Sequence, residues 1–590
     1  MNLKPFHKKR IFICFLFLFV TVFILTSSQA PSKLISSVSL TKEQRSFDRY
    51  TNDLFVQELS SNTINLHYTL ADPDSFDIKD PAISLGSLSK DAHHASIAQL
   101  ENMSAVLSEF DPTLLSAKQQ LTYDILTSYC NRELSATSFY YYHEPLRPTT
   151  GTQSELPILL AEYAFYKPSD VTDYLALLAC MDDYFKEIAV FEVEKSKAGL
   201  FMPDFAAETV INACQIFTAD PDNNYLIDTF DTRIDAMANL SNEKKTEYKD
   251  LNRSLIQNHV IPAYNILTDT LSKLKDSGSK NGSLSGYENG KAYYEYLVGV
   301  NTGSDKTIPE LQKRTEKQRA DDLLAIHNLL VKNPKLLSAD DPKLSFSTPE
   351  EMLDHLLEAI QTDFYPAPET HYEVNYIHKS LEDTLAPAFY LTAPIDRTDH
   401  NVIYLNGKSN YQGLSLFTTL AHEGYPGHLY QTTGSYHAGL TPLRAILNYP
   451  GYVEGWATYV EMLSYQYAGL DHDTADMLMH NQSALLSLYA TIDMGIHYDG
   501  WNLSDTASFL NGYGIKDSDT IQRIYELIIE EPSHYLKYYI GYLEFLELQE
   551  FARNEFKDEF SMRAFHQAVI RMGPAPFPLL KKYLHDFYTI

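Results

Sequence analysis

The segment His422-Glu423-Gly424-Tyr425-Pro426-Gly427-His428 places two imidazoles and a carboxylate within seven residues. A hydrolytic zinc site draws on such groups: three imidazole or carboxylate ligands, one open position for water, and a further carboxylate to take that water's proton. The familiar spacing is His-Glu-x-x-His, whose histidines at i and i+4 share one helix face. Here the second histidine stands at i+6. In an unbroken helix six residues turn through roughly 600°, leaving the two side chains about 120° apart and unable to reach one ion. The inserted residues are of the kind that deform a helix. Pro426 has no amide hydrogen, and its ring would clash with the carbonyl of His422. Gly424 and Gly427 free the backbone on either side. The spacing therefore predicts that the helix ends or bulges at Pro426, swinging His428 back toward His422. The plain alternative is a helix stop between two surface histidines.

A third ligand is expected downstream, and Tyr452-Val-Glu-Gly-Trp-Ala-Thr-Tyr-Val-Glu461 supplies two carboxylates. Glu454 follows Pro450-Gly451, a helix-start signal, and Glu461 falls on nearly the same face. A solvated acidic face is the usual reading of such a pair. Trp456, Val453, Ala457 and Val460 argue instead for a buried helix, where an unpaired carboxylate is costly. Glu454 is thus the expected ligand, with Glu461 a hydrogen-bond partner for a ligating histidine.

The elements that must position these groups read as mostly helical. After Asp170, taken as an N-cap, Tyr174, Leu178, Met181, Phe185 and Ile188 recur at spacings of four and three and share one face. Further helices are expected near Glu243–Leu274 (kinked or broken at Pro262), Ile308–Val331, Thr348–Asp363, Ser415–Glu423, Tyr452–Tyr467, Thr474–His497 and Pro532–Asn554. Strand signals cluster at Tyr372–Ile377, Ala388–Thr392 and Val402–Leu405, just before the histidine segment. This small sheet would offer either an edge strand for a peptide backbone or a plain packing layer. The Gly/Ser-rich stretch 276–286 reads as a linker or exposed loop. It divides a helical N-terminal lobe, residues 31–285, from a catalytic metal-binding lobe, residues 286–590.

The 590 residues exceed what one core holds, in line with two lobes. Residues 1–30 read as a signal peptide or N-terminal membrane anchor. Lys8-Lys9-Arg10 precede an apolar run from Ile11 to Leu25 and the small-residue exit Ser28-Gln29-Ala30. Export to an extracellular or cell-surface location is expected, with membrane contact only through that segment if it is retained. The chain carries a net charge of -30, and -34 without the four basic residues of the first thirty. Such a surface repels nucleic acid and anionic lipid, and leaves small peptides or neutral molecules as partners. Beyond Cys14 only Cys130, Cys180 and Cys214 remain, which argues against a cysteine-zinc site and a disulfide framework.

With these residues in place the chain resembles DUF885, a bacterial family related to the gluzincin metallopeptidases. The resemblance rests on His422-Glu-Gly-Tyr-Pro-Gly-His428 and Glu454-Gly-Trp-Ala457. It continues in Asp493-Met-Gly-Ile-His497 with Gly500-Trp501, in Pro532 through Tyr538 to Gly541, in Phe565-His566 and in Gly573–Leu580. Weaker echoes occur at Pro148–Gln153 and Gly199–Pro203. It implies a mainly α fold with a small β-sheet, two-lobed around a central channel. It implies His422, His428 and Glu454 as ligands of Zn2+, and Glu423 as general base. The chain departs from the family pattern in two places. Pro532-Ser533-His534 stands where Pro-Gly-Gln is expected, and Tyr489 lies where an arginine should precede Asp493. Both departures bear on recognition of substrate ends rather than on the metal.

Hydrolysis of a peptide also needs a donor for the developing oxyanion, for which His497 and Tyr538 are the candidates. Arg444, Lys537 and Arg571 could grip a substrate carboxylate. Three functions remain in view: a zinc peptidase acting on short extracellular peptides, a zinc hydrolase of another amide or ester, and a non-catalytic surface binding protein. Glu423 argues against the last, since a pure binder has no need of a base.

Overall fold

The computed structural model describes residues 41–588 apart from 279–281, 339–341, 378, 380, 381, 383–385 and 410. The N-terminal basic and apolar segment lies outside the described residues. Two compact units emerge. The first comprises the chain up to Ser116 with Leu126–Lys280, and the second Ala117–Ile125 with Asn281 onward. The division is not a single cut, because residues 117–125 belong with the second unit.

The first unit is helical and is organised around α1 (Pro168–Lys197). Tyr174, Leu178, Met181, Phe185 and Ile188 are all fully buried on one of its faces. They pack against α3 (Ile261–Leu274), which packs in turn against α2 (Asp204–Thr218). Asp170 is not the N-cap expected from the sequence. Lys167 caps the helix, and Asp170, three residues on, accepts the Lys167 backbone N–H at 2.8 Å. Pro168 at the first helical position needs no amide hydrogen, which moves the helix start upstream. Pro262 does not break its helix. A π-helical turn over Ile256–Val260 precedes it and absorbs the misfit of a residue without an N–H. Cys130 and Cys214 are buried and Cys180 half-buried, each as a free thiol.

The second unit carries α4 (Gly290–Thr302), α5 (Ile308–Lys332), a three-stranded sheet and the helices that follow it. β1 (His371–Tyr376) and β2 (Ala388–Leu391) flank β3 (His400–Leu405). β1 runs parallel to β3, pairing His371 with His400, and β2 runs antiparallel, pairing Tyr390 with Ile403. Next come α6 (Leu414–Glu423), α7 (His428–His437), α8 (Pro450–Tyr467), α9 (His472–Met494) and α10 (His534–Phe556). A π-helical turn, Gly495–Asp499, replaces the last turn expected of α9, where Gly495 lies flat against the Trp501 indole.

α8 and α10 pack closely because glycines meet where they cross. A Cβ on Gly455 would run into the backbone of Gly541, and one on Gly541 into that of Gly451 and Gly455. This approach brings Glu454 of α8 within reach of Lys537 on α10. The Ser-rich end of the 276–286 stretch is anchored rather than free. The Ser283 hydroxyl donates to the Ile496 carbonyl at 2.5 Å. No helix among the described residues is long and apolar enough to cross a membrane.

Candidate metal centre

α6 ends at Glu423 and α7 starts at His428, so the chain leaves the helix between the two histidines. The Tyr425-Pro426 peptide is cis, and the Trp456 indole N–H donates to the Pro426 carbonyl at 2.9 Å. Gly427 lies against the carbonyls of Ala421 and His422 with no room for a Cβ. The turn rotates His428 back to its partner. Their ring centroids lie 4.9 Å apart at 84°.

Glu454 enters from the first turns of α8. Its Oε2 lies 3.6 Å from His422 Nε2 and 3.4 Å from His428 Nε2. Two ligands bonded to one tetrahedral zinc at about 2.0–2.2 Å sit roughly 3.3–3.6 Å apart, so these separations fit a shared ion. Ligand atoms of His422, Glu423 and His428 also fall within 4.8 Å of one another, which makes Glu423 a rival third ligand. Glu454 is the better fit because its oxygen faces both Nε2 atoms. One Glu423 oxygen is instead taken by the Tyr390 backbone N–H of β2, at 2.8 Å. Glu461, two turns beyond Glu454, lies 3.0 Å from His422 Nδ1. A hydrogen bond there fixes the tautomer that leaves Nε2 free to ligate.

The charges favour a cation at this point. Burial acts to raise the Glu454 carboxyl, but Lys537 at 3.3 Å and the two neighbouring histidines hold it well below the usual carboxylate range. Burial likewise opposes charge on His422, yet Glu454 and Glu461 outweigh it and raise its affinity for a proton. Glu423 moves opposite to Glu454. Burial raises its carboxyl, with the two histidines opposing.

Tyr538 stands at the rim of this cluster, its ring centroid 6.3 Å from that of His422. Burial, then Glu454 and Glu423, push its hydroxyl well above the ordinary range, so it stays protonated and able to donate. His497 is a correction to the expectation from sequence: the structure commits it to backbone groups elsewhere and not to the His422–His428–Glu454 cluster. Its Nε2 pairs with the Ile528 carbonyl at 2.8 Å, and its Nδ1 accepts the Leu284 N–H at 3.2 Å. The π-helical turn directs it into backbone groups, and it is a fully buried structural histidine. Arg444 is also spoken for. It is buried and donates to the carbonyls of Met572 and Pro574 at 2.8 Å each. Lys537, expected as a grip for substrate, is held by Glu454. The Tyr390 amide was missed, because a backbone donor leaves no mark in side-chain types; the nearby strand run was its only signal.

The start of α10, which carries Lys537 and Tyr538, hangs on a buried carboxyl. Asp493 Oδ1 accepts the Ser533 N–H at 3.1 Å and the Tyr294 hydroxyl. Ser533 sits in the left-handed region at φ 63°, where the expected glycine would be at ease, and Asn301 donates to its hydroxyl at 2.6 Å. Burial raises Asp493 to about 7, against these two donors. Its ordinary value is 3.8, so between there and about 7 the native state binds the extra proton. Stability from this group is full below the lower value and is lost as pH rises to the upper one. The loss amounts to about 4 kcal/mol in all. Melting temperatures of wild type and Asp493→Asn are expected to converge or cross over that interval, with the wild type losing ground. Parallel curves would show that Asp493 is ionised throughout.

This is a mainly α chain in which two histidines and three glutamates converge on one point beside a small sheet. The chain belongs to DUF885, a family described as bacterial proteins of unknown function, which matches residues 78–584. The fold is similar to that of a "putative lipoprotein" from Colwellia psychrerythraea, with a TM-score of 0.80 at 16% identity, covering 92% of this chain and 99% of that one. A second, a "putative lipoprotein of unknown function" from Shewanella oneidensis, has a TM-score of 0.61 at 15% identity over the same shares. No curated protein sequence matches the chain.

Proposed function

We propose that the chain is a zinc metallopeptidase that hydrolyses short extracellular peptides. The observation that carries this reading is the approach of both histidine Nε2 atoms to one Glu454 oxygen, with the Glu423 carboxyl beside them. His422, His428 and Glu454 would hold Zn2+, whose Lewis acidity makes water a nucleophile near neutral pH. Glu423 takes the proton of the attacking water and passes it to the leaving amine. The Tyr390 N–H orients that carboxyl, and burial raises its affinity for the proton it carries between the two steps. The Tyr538 hydroxyl donates to the developing oxyanion. Glu461 orients His422, and Lys537 balances the charge of Glu454.

The basic and apolar N-terminal segment supports an activity outside the cell, and the description of two structural neighbours as putative lipoproteins agrees with export. The test is zinc analysis of the purified chain with cleavage of a peptide library. We expect bound zinc and cleavage in the wild type, with zinc at this site weakened and cleavage lost in Glu454→Ala. Full cleavage by zinc-free protein would overturn the reading. Zinc-dependent hydrolysis of esters or non-peptide amides with no peptide cut would assign the same site to another hydrolase.

A further inference from the structure

The geometry points to a second divalent-metal site on the sheet, formed by His371, Glu373 and His400 and suited to zinc, nickel or copper(II). It is independent of the centre around His422. Ligand atoms of the three side chains lie within 4.8 Å of one another. The arrangement follows from strand geometry. His371 pairs with His400 across the parallel β1/β3 ladder, which puts both imidazoles on one face. Glu373, two residues along β1, returns to that face because side chains alternate along a strand. The imidazole rings lie 5.9 Å apart at 26°, and His371 Nε2 is 3.5 Å from Glu373 Oε1.

The backbone beneath this cluster is held in place. Asn401, next to His400 and buried on the opposite face, donates to the His371 carbonyl at 3.2 Å, the Thr370 hydroxyl at 2.8 Å and the Thr398 carbonyl at 3.1 Å. The starts of both strands are therefore fixed, while the exposed side chains above them can rotate to close on an ion. Preorganised backbone with two imidazoles and one carboxylate selects borderline transition metals, whereas calcium and magnesium prefer all-oxygen shells. A bound ion would staple β1 to β3. The Tyr390 hydroxyl also donates to Asn401, at 2.6 Å, so the staple adjoins the strand whose amide holds Glu423.

The test counts zinc on the full chain, stripped with chelator and dialysed against micromolar free zinc. His371→Ala and His400→Ala are each expected to bind one equivalent fewer than wild type. His428→Ala should keep the equivalent that the sheet variants lose. Circular dichroism melts without zinc should match wild type, since both histidines are exposed. Unchanged stoichiometry in both sheet variants would overturn the site. Failure of the first centre would show instead as equal zinc binding by His428→Ala and wild type, so the two assignments fail separately.

Discussion

Glu423→Gln is expected to lower kcat by about a thousandfold or more while leaving zinc bound, in keeping with the roughly 10²–10⁴-fold contribution of a positioned general base. Glutamine has the same shape, and its carbonyl oxygen can still accept the Tyr390 N–H that orients Glu423. What it lacks is any capacity to take a proton from water. The variant also separates two assignments that the geometry leaves close together, since ligand atoms of His422, Glu423 and His428 lie within 4.8 Å of one another. If Glu423 were the third ligand, the amide would weaken zinc along with turnover. If Glu454 is, zinc binding stays near wild type. Zinc titration beside steady-state kinetics decides between them, and full activity in Glu423→Gln would remove the base from the mechanism.

Gly427→Ala should cost more than an ordinary surface substitution, about 3 kcal/mol of stability, and should abolish tight zinc binding together with activity. The added Cβ would overlap the backbone carbonyls of His422 and Ala421, and backbone atoms cannot rotate away as a flexible side chain does. The turn must open, and the ligand on its far side moves with it. A shift of about 1 Å is enough to spoil a zinc site whose bonds tolerate only a few tenths of an ångström. The checks are the melting temperature and the zinc content of the purified variant. A folded, zinc-loaded, active Gly427→Ala would show that the turn is not under this constraint.

Much of the helical framework was legible because amphipathic spacing is a local property. Tyr174, Leu178, Met181, Phe185 and Ile188 share a face by arithmetic alone, and all five are buried. The three strands were legible for the same reason, from short β-branched and aromatic runs between turn residues. Helix ends were less so. Asp170 had the chemistry of a cap but lies three residues inside, since Pro168 set the start. His497 shows the limit most clearly. Its neighbourhood carried the family pattern, yet whether an imidazole faces a cavity or a carbonyl depends on where the adjoining elements pass.

At the histidine segment the sequence alone determined that a regular helix could not continue, because Pro426 lacks an amide hydrogen and the i+6 spacing separates the side chains. Only the tertiary structure decided where the turn delivers His428, which Glu454 oxygen faces both imidazoles, and which nitrogen Glu461 takes. The same holds for the Tyr390 amide on Glu423 and for Lys537 on Glu454. The physical reason is one of range. Dihedral and amide constraints act within a few residues and are written in residue type. Convergence of groups from α6, α7, α8, α10 and β2 depends instead on how closely helices may cross, and glycines at the α8/α10 contact set that approach.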